Sequence, residues 1–317
     1  MAGRVSAQQT LSVAPDEADL RLDRWFRRRF PTLKHGQLER LLRTGQVRVD
    51  GRRVKAGYRL SPGEAVRVPP VVPSAVQPAA PAALDDRDRD WVQSLVLHRD
   101  DDLIALDKPP GLAVQGGTGT RRHLDALLDG LRFGRAERPR LVHRLDKDTS
   151  GVLLLARSPA AAARLAEAFR DKAARKLYWA LVVGVPEPPE GVIESALAKA
   201  GGKGRERMQV SETGRDAATR YRVRAADDGN FAWLEMMPVT GRTHQLRVHA
   251  AQIGTPIAGD RKYGGPRAMP ARPGIARKLH LHAREIDLPH PAGGRFRIAA
   301  PLPPHMRESW RVLGFRT

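Results

Sequence analysis

The pattern of apolar and polar positions divides the chain into two folded regions. In the first region, apolar residues recur at helical spacing over residues 22–30 and again over residues 38–42. Residues 47–49 and 53–55 then flank the turn dipeptide Asp50-Gly51, which predicts a β-hairpin with a tight turn. The first region is therefore predicted to be two short helices followed by a hairpin, preceded by an N-terminal tail over residues 1–20.

Between the two regions the composition changes abruptly to proline, alanine and valine. Five prolines lie between residues 69 and 81, and a charged stretch follows over residues 85–90. Proline-rich sequence of this kind favours an extended, semi-rigid spacer. We therefore predict a linker over residues 69–90 and a second domain over residues 91–317.

The second region mixes short strands with helices around one fully apolar run. Residues 152–156 are apolar without interruption and follow Gly151, which predicts a strand buried on both faces. Ser158-Pro159 then predicts the start of a helix, because serine caps a helix and proline suits its first turn. The remaining patterns predict a helix at 124–131 and strands at 95–98, 103–105, 176–183, 219–223, 231–236, 279–283 and 296–298. Interleaved elements of both types indicate the α+β class.

A charged loop leads into the apolar strand. Residues 143–150 place several basic and acidic side chains around Leu145, and Asp146 lies among them. An acid beside a rigid buried strand is well placed to serve in a functional site. The alternative is a solvated ion pair of Asp146 with Arg144 or Lys147, since such surface pairs are common and weak.

Charge adds a partner to this picture. The chain has 55 Lys and Arg against 35 Asp and Glu, a net charge of +20. Residues 21–68 alone have 14 basic and 4 acidic residues, a net charge of +10. Such an excess predicts a polyanionic partner, either nucleic acid or an anionic membrane surface, although a merely solvated basic face is the alternative. The candidate RNA-binding residues of this region are Arg27, Arg28, Lys34, Arg40, Arg43, Arg48 and Arg53.

Other compositional features narrow the class of protein. The chain has no cysteine, so it has neither a disulfide framework nor a thiolate metal site. It contains no apolar run long enough to span a bilayer, and its N-terminus lacks the apolar segment of a secretory signal. We therefore expect a cytoplasmic protein without a membrane partner.

Histidine and aspartate residues raise the question of a metal. His244 and His249, or His280 and His282, could be ligands, but their spacing matches no metal motif, and the last two alternate with apolar residues as outward strand positions would. We therefore predict no metal. A magnesium-dependent nuclease remains an alternative at this stage; it would use the carboxylates of Asp107, Asp146, Asp148 and Asp260.

Several strings resemble the motifs of one enzyme family. Residues 143–151, His-Arg-Leu-Asp-Lys-Asp-Thr-Ser-Gly, resemble the signature of the RluA-type pseudouridine synthases of large-subunit ribosomal RNA. Residues 107–114, 238–249 and 259–264 resemble three further family motifs. The helix-helix-hairpin region resembles the alpha-L RNA-binding domain, named after a small-subunit ribosomal protein. The resemblance covers about residues 21–310, and the domain order is most similar to the RluC and RluD branches.

The resemblance implies a fold and a reaction. It implies a catalytic domain with a bent, mainly antiparallel sheet and flanking helices, and a monomeric, cofactor-independent enzyme that isomerises uridine in ribosomal RNA. Asp146 matches the catalytic aspartate, as nucleophile or as general base. The positions implied to support it are Arg144, Tyr178, Arg242 and Leu246, with Arg242 as the guanidinium partner of Asp146. A non-catalytic RNA-binding or ribosome-assembly factor on the same fold is the second alternative.

Overall fold

The computed structural model describes residues 8–70, 84–116, 122–202 and 207–316. The chain forms two compact units, Met1–Ala83 and Leu84–Thr317. Most of the predicted proline-rich spacer lies outside the described residues, as do residues 117–121 and 203–206. No described helix is both long enough and apolar enough to cross a membrane.

The first unit packs two helices on a small sheet. Helix α1 is Leu22–Arg29 and helix α2 is His35–Arg43, as the helical spacing predicted. The antiparallel sheet has the order β1 (Gln9–Ser12), β3 (Ala65–Val68), β2 (Arg48–Val49). The core of this unit is built on fully buried side chains that include Leu22, Trp25, Phe26, Phe30, Val47 and Val66. Burial of these large apolar side chains is what stabilises so small a unit.

Two sequence predictions for this unit were wrong. The turn at Asp50-Gly51 is present, with φ values of 46° and 73°, but residues 53–55 do not form its second strand. Strand β2 pairs with β3 instead, because the alternating residues of β3 supply the buried partners. Residues 9–20 are also not merely a tail: they include β1, and the Glu17 carboxylate accepts hydrogen bonds from Trp25 and Arg29.

The second unit is built on one large sheet with helices and 3-10 turns beside it. Its strands are β4 (Val96–Arg99), β5 (Leu103–Lys108), β6 (Arg140–Leu141), β7 (Ser150–Ala156), β8 (Arg175–Val183), β9 (Glu190–Ala200), β10 (Arg207–Val210), β11 (Arg215–Asp227), β12 (Phe231–Pro238), β13 (Leu281–Pro289) and β14 (Arg295–Ala299). Its helices are α3 (Asp86–Ser94), α4 (Leu124–Leu127), α5 (Pro159–Arg170), α6 (Gln245–Gln252) and α7 (Pro304–Val312), with 3-10 turns at Leu128–Leu131 and Gly265–Ala268. The α+β class is therefore confirmed.

The strand order of the large sheet is β10-β9-β11-β12-β8-β13-β7-β5-β4, with β14 on β13 and β6 on β7. Among the described strands every pairing is antiparallel except that of β13 with β7. The predicted mainly antiparallel sheet is therefore present. The one parallel pairing lies next to the charged loop that the sequence singled out.

Strand β7 is buried along its whole length, as its apolar run predicted. Leu153 and Leu155 pack into one apolar cluster with the α4 region, and Val152 and Leu154 pack on the other face with Leu165 of α5. Helix α5 begins where predicted, because the Ser158 side chain accepts a hydrogen bond from the Ala161 amide. One boundary was wrong: α3 begins at Asp86, inside the predicted linker, with Asp85 as its cap.

Candidate active site

The loop that carries Asp146 is held at its C-terminal end by the parallel strand pair. Gly151 has a φ of +106°, and a Cβ there would lie 2.2 Å from the Ala283 carbonyl oxygen, so only glycine lets β7 approach β13 this closely. Beside it, the Ser150 hydroxyl lies 2.9 Å from Nδ1 of the buried His282. The end of the loop therefore has little freedom to move.

A buried lysine holds the same loop from the other side. Lys108 at the end of β5 is fully buried, and its Nζ donates to the carbonyl oxygens of Pro109, Leu112 and Lys147 at 2.9, 3.0 and 3.0 Å. The Gly111 amide also donates to the Lys147 carbonyl, at 2.9 Å. Burial lowers the pKa of Lys108 to about 8, although nearby aspartates oppose this shift. The proline-glycine motif at 107–114 thus anchors the backbone of the residue next to Asp146.

Asp146 opens onto a cleft of about 1070 Å³. Tyr178 of β8, Leu246 of α6 and Arg144 of the loop line the same cleft. Tyr178 and Leu246 belong to one apolar cluster, while Arg144 is exposed at the cleft. Burial, with the charge of Asp146, raises the pKa of Tyr178, so the phenol stays protonated. Arg242 lines the cleft as well, so the structure brings all five predicted site residues to one cleft.

The predicted pairing of Arg242 with Asp146 is a correction. Although Arg242 lines the cleft, its Nε donates to the backbone carbonyl of Asp216 at 3.1 Å, and among the described residues it forms no ion pair with Asp146. Arg242 lies in the loop before α6, which begins at Gln245 after His244 in a left-handed conformation. Its contact with Asp216 directs the guanidinium to a backbone oxygen instead.

Arg247, in the first turn of α6, places its guanidinium beside Asp146 instead. Its Nη1 lies 3.9 Å from Oδ2 of Asp146, whose side chain is 20% exposed. A two-pronged contact with the buried Asp260, at 2.7 and 2.8 Å, fixes its direction. Burial alone would lower the pKa of Arg247, but the hydrogen bonds to Asp260 outweigh it and raise the pKa. Arg247 is therefore a permanent cation beside the candidate catalytic carboxylate.

His244 is the second side chain whose nitrogen lies close to the Asp146 carboxylate. Its Nε2 lies 3.8 Å from Oδ1 of Asp146, and its Nδ1 lies 2.6 Å from the Tyr263 hydroxyl. The sequence patterns assigned no active-site role to His244, Arg247, Tyr263 or Lys108. All four lie inside the strings that match the family, and membership of those strings was the one signal that could have identified them.

The prediction that His280 and His282 face outward from a strand was wrong; His280 directly precedes β13 and His282 lies in it. His280 and His282 are fully buried, and they contact the hydroxyls of Ser309 and Ser150. Burial lowers the pKa of each to about 4, so both are neutral at neutral pH. Over the described ranges, no three or more histidine, aspartate or glutamate side chains are grouped so that they could hold a metal ion.

The basic residues of the first unit differ in their freedom to bind a partner. The seven predicted RNA-binding side chains are Arg27, Arg28, Lys34, Arg40, Arg43, Arg48 and Arg53. Arg28 pairs with Asp16, and Arg48 donates to the carbonyls of Gly45 and Gly51, so both have structural partners. Arg27, Lys34, Arg40, Arg43 and Arg53 are exposed, and none forms an ion pair within the described part of the unit. Of the seven predicted residues, these five have a charge that is available to a partner.

Comparison with known proteins gives consistent matches over both units. Profiles described as "RNA pseudouridylate synthase" and "S4 domain" match residues 102–252 and 20–66. The chain is 37% identical to the ribosomal large subunit pseudouridine synthase C of Vibrio cholerae over 95% of each chain. It is 34% identical to the mitochondrial RNA pseudouridine synthase 4 of Arabidopsis thaliana, over 92% of this chain and 79% of that protein.

A solved structure shows the same fold. The human RNA pseudouridylate synthase domain containing 4 is 31% identical and superposes with a TM-score of 0.61, over 72% of this chain and 97% of that one. These likenesses cover the loop of Asp146 and the helix of Arg247.

Proposed function

We propose, because this chain belongs to the family of RNA pseudouridine synthases, that it isomerises specific uridines of large-subunit ribosomal RNA with Asp146 as its catalytic carboxylate. The observation that carries the proposal is the position of Asp146. It is the carboxylate of the anchored loop, it opens onto the cleft, and Arg247 and His244 lie within 4 Å of its two oxygens.

The reaction breaks the bond between N1 of uracil and C1′ of the ribose, and it forms a bond between C5 and C1′. A proton leaves C5 and a proton is gained at N1, so no net oxidation or hydrolysis takes place. Asp146 acts either as the nucleophile at C1′ or as the base that removes a ribose proton. Both roles need an ionised carboxylate. The guanidinium of Arg247 lies 3.9 Å from one of its oxygens and can orient it.

The other cleft residues suit a base that has left its helical stack. A uridine must be turned out before a carboxylate can reach its sugar, and an aromatic ring then offers a surface for the base. Tyr178 supplies a neutral ring beside Asp146, and Leu246 lies against it. Arg144, exposed at the cleft, is placed to contact the phosphates of the turned-out nucleotide.

The ribosomal substrate is proposed from the relatives and from the basic first unit. The relative in Vibrio cholerae is named for the ribosomal large subunit and matches along nearly its whole length. The S4-type unit adds exposed cations that bind RNA phosphates without reading sequence. We also propose a monomeric, cytoplasmic enzyme, since one chain supplies all the groups around Asp146.

Mapping pseudouridines in ribosomal RNA tests this proposal. Cells without the gene should lose one or a few pseudouridines from large-subunit RNA, and the wild-type gene should restore them while a gene encoding Asp146→Asn should not. Unchanged pseudouridine maps would refute the ribosomal substrate. RNA cleavage that stops on chelation of magnesium would support the nuclease alternative instead.

A further inference from the structure

A chain of polar contacts connects Asp146 with strand β10. The backbone amide of Met208 donates to the Tyr263 hydroxyl oxygen at 3.1 Å, and that oxygen lies 2.6 Å from Nδ1 of His244. On the opposite side of the same ring, Nε2 lies 3.8 Å from Oδ1 of Asp146. The proposed reaction gives Tyr263 no role. Met208 lies in β10, and no residue of this strand lines the cleft.

The directions of the hydrogens in this chain follow from elimination. The Met208 amide can only donate, so the Tyr263 oxygen accepts from it. Within the described residues, the one remaining hydrogen-bond contact of that oxygen is Nδ1 of His244. Nδ1 is thus the one acceptor that these contacts offer to the phenol hydrogen, and a phenol that donates to it requires a lone pair on Nδ1. A neutral histidine that accepts at Nδ1 carries its hydrogen on Nε2.

We infer that Tyr263 and the Met208 amide fix His244 as the Nε2–H tautomer, and that His244 is a positioning residue that presents this hydrogen to the Asp146 carboxylate. The inference rests on the proposed role of Asp146. In the structure the 3.8 Å separation is longer than a hydrogen bond. Contacts of this kind shorten when substrate fills the cleft and displaces water. His244 and Arg247 then hold one carboxylate oxygen each.

The surroundings of His244 keep its ring neutral, which the tautomer argument requires. Burial lowers its pKa, and the cations of Arg247 and Lys262 lower it further, while the carboxylates of Asp146 and Asp260 oppose them. The backbone also constrains the ring, since φ of His244 is +53°, a conformation that non-glycine residues rarely adopt. A strained backbone conformation persists only when the contacts around it hold the residue in place.

The position of Met208 makes β10 part of this chain of polar contacts. Strand β10 is an edge strand, paired only with β9 among the described strands. Because the Met208 amide is directed at Tyr263, it faces away from β9. The contact of β10 with Tyr263 therefore helps to set which ring nitrogen of His244 carries the hydrogen that faces Asp146.

The first test measures the tautomer directly. Nitrogen-15 spectra of the full-length protein, with the His244 signals assigned by their loss in His244→Gln, report which ring nitrogen carries the hydrogen. We expect hydrogen on Nε2 in the wild type and a mixture of tautomers in Tyr263→Phe. Hydrogen on Nδ1 in the wild type would overturn the inference, while the assignment of Asp146 would stand.

The second test is a double-mutant cycle on the rate of a single turnover. Glutamine can place an amide N–H near the position of Nε2 and has no tautomers, whereas leucine of similar size has no hydrogen to donate. We expect His244→Gln to lower the rate about threefold and His244→Leu about 10- to 100-fold, the range for a hydrogen bond to a charged group. Tyr263→Phe should cost about tenfold in the wild type but little in the His244→Gln background. Equal costs in both backgrounds would refute the coupling.

A matched pair of proline variants tests the role of β10. Met208→Pro removes the amide hydrogen that Tyr263 accepts, and an edge strand tolerates proline where the amide faces outward. By strand alternation the amide of Val210 faces the same side, and its side chain is exposed, so Val210→Pro is the control. Met208→Pro should lower the turnover rate about tenfold with RNA affinity unchanged, and Val210→Pro should not. Equal turnover rates for the two variants would show that the Met208 amide of β10 does not affect His244.

Discussion

Replacing Arg247 by methionine should remove most of the turnover and part of the stability, for two separable reasons. The guanidinium lies 3.9 Å from Asp146, and both side chains are largely buried. At an effective dielectric constant near 20, two charges at that distance interact by about 4 kcal/mol. Loss of half to three quarters of this interaction in the transition state, about 2–3 kcal/mol, would lower the rate by about 30- to 200-fold.

The stability loss comes from Asp260 rather than from Asp146. The Asp260 carboxylate is 2% exposed and would lose both prongs of its partner. Breaking a buried pair from one side costs about 3–5 kcal/mol in the free energy of unfolding. The double variant Arg247→Met with Asp260→Asn neutralises the stranded carboxylate. It should recover much of the stability and none of the rate.

The assay pairs urea unfolding with single-turnover pseudouridine formation on one ribosomal RNA transcript. Arg242→Met is the control, because its guanidinium contacts a backbone carbonyl and not Asp146. We expect Arg242→Met to change the chemical step less than tenfold. The reasoning is refuted if the Arg242 variant is the slower one, or if the double variant regains its rate together with its stability.

Three further predictions concern other parts of the molecule. Lys108→Met should cost about 3–5 kcal/mol in urea unfolding, because three carbonyl oxygens lose their donor, and it should slow turnover without weakening RNA binding; unchanged stability would contradict this. Burial raises the pKa of Asp107 to about 6 from 3.8, so the folded state binds the proton more tightly than the unfolded state does. As pH rises from about 4 to 6, the free energy of unfolding of the wild type should therefore fall by up to about 3 kcal/mol relative to that of Asp107→Asn. Parallel curves of stability against pH for the two proteins would refute this. Replacing Arg40 and Arg43 by alanine should flatten the salt dependence of RNA affinity by up to about 0.9 per lost phosphate contact, and an unchanged slope would exclude them from the interface.

Elements with long or regular patterns were predictable from the sequence. Strand β7 was recognised from its uninterrupted apolar run, and α5 from the Ser158-Pro159 start. The second hairpin strand of the first unit failed because residues 53–55 satisfy the local pattern, while the partner of β2 lies at residues 65–68. A pairing over that separation depends on packing that a local pattern does not contain.

The candidate site shows the same division. The resemblance to the family predicted Asp146, Tyr178 and Leu246 as site residues, and the structure brings them into one cleft. The prediction of Arg242 as the guanidinium partner of Asp146 was wrong because tertiary contacts decide which arginine reaches Asp146. The buried Asp260, from a later segment, directs Arg247, while Arg242 donates to the backbone of Asp216.

The prediction that His280 and His282 face outward failed for a related reason. Alternation along a strand separates two faces, but it does not reveal whether both faces are covered. His280 and His282 occupy covered positions because Ser309 and Ser150 supply hydrogen-bond partners from distant segments. Contacts made by the tertiary fold, rather than the local pattern, therefore decided these positions.

The central claim is that Asp146 carries the chemistry, and the most direct test is a comparison of Asp146→Asn with Asp148→Asn. Both substitutions remove one negative charge from the same loop, and Asp148 is exposed. Asparagine can still hydrogen-bond, but it can act neither as the nucleophile nor as the base. Single-turnover pseudouridine formation and RNA affinity should be measured for both on one transcript. We predict that Asp146→Asn loses several orders of magnitude in rate with RNA affinity nearly unchanged, while Asp148→Asn stays close to wild type; near-wild-type turnover by Asp146→Asn would contradict the account.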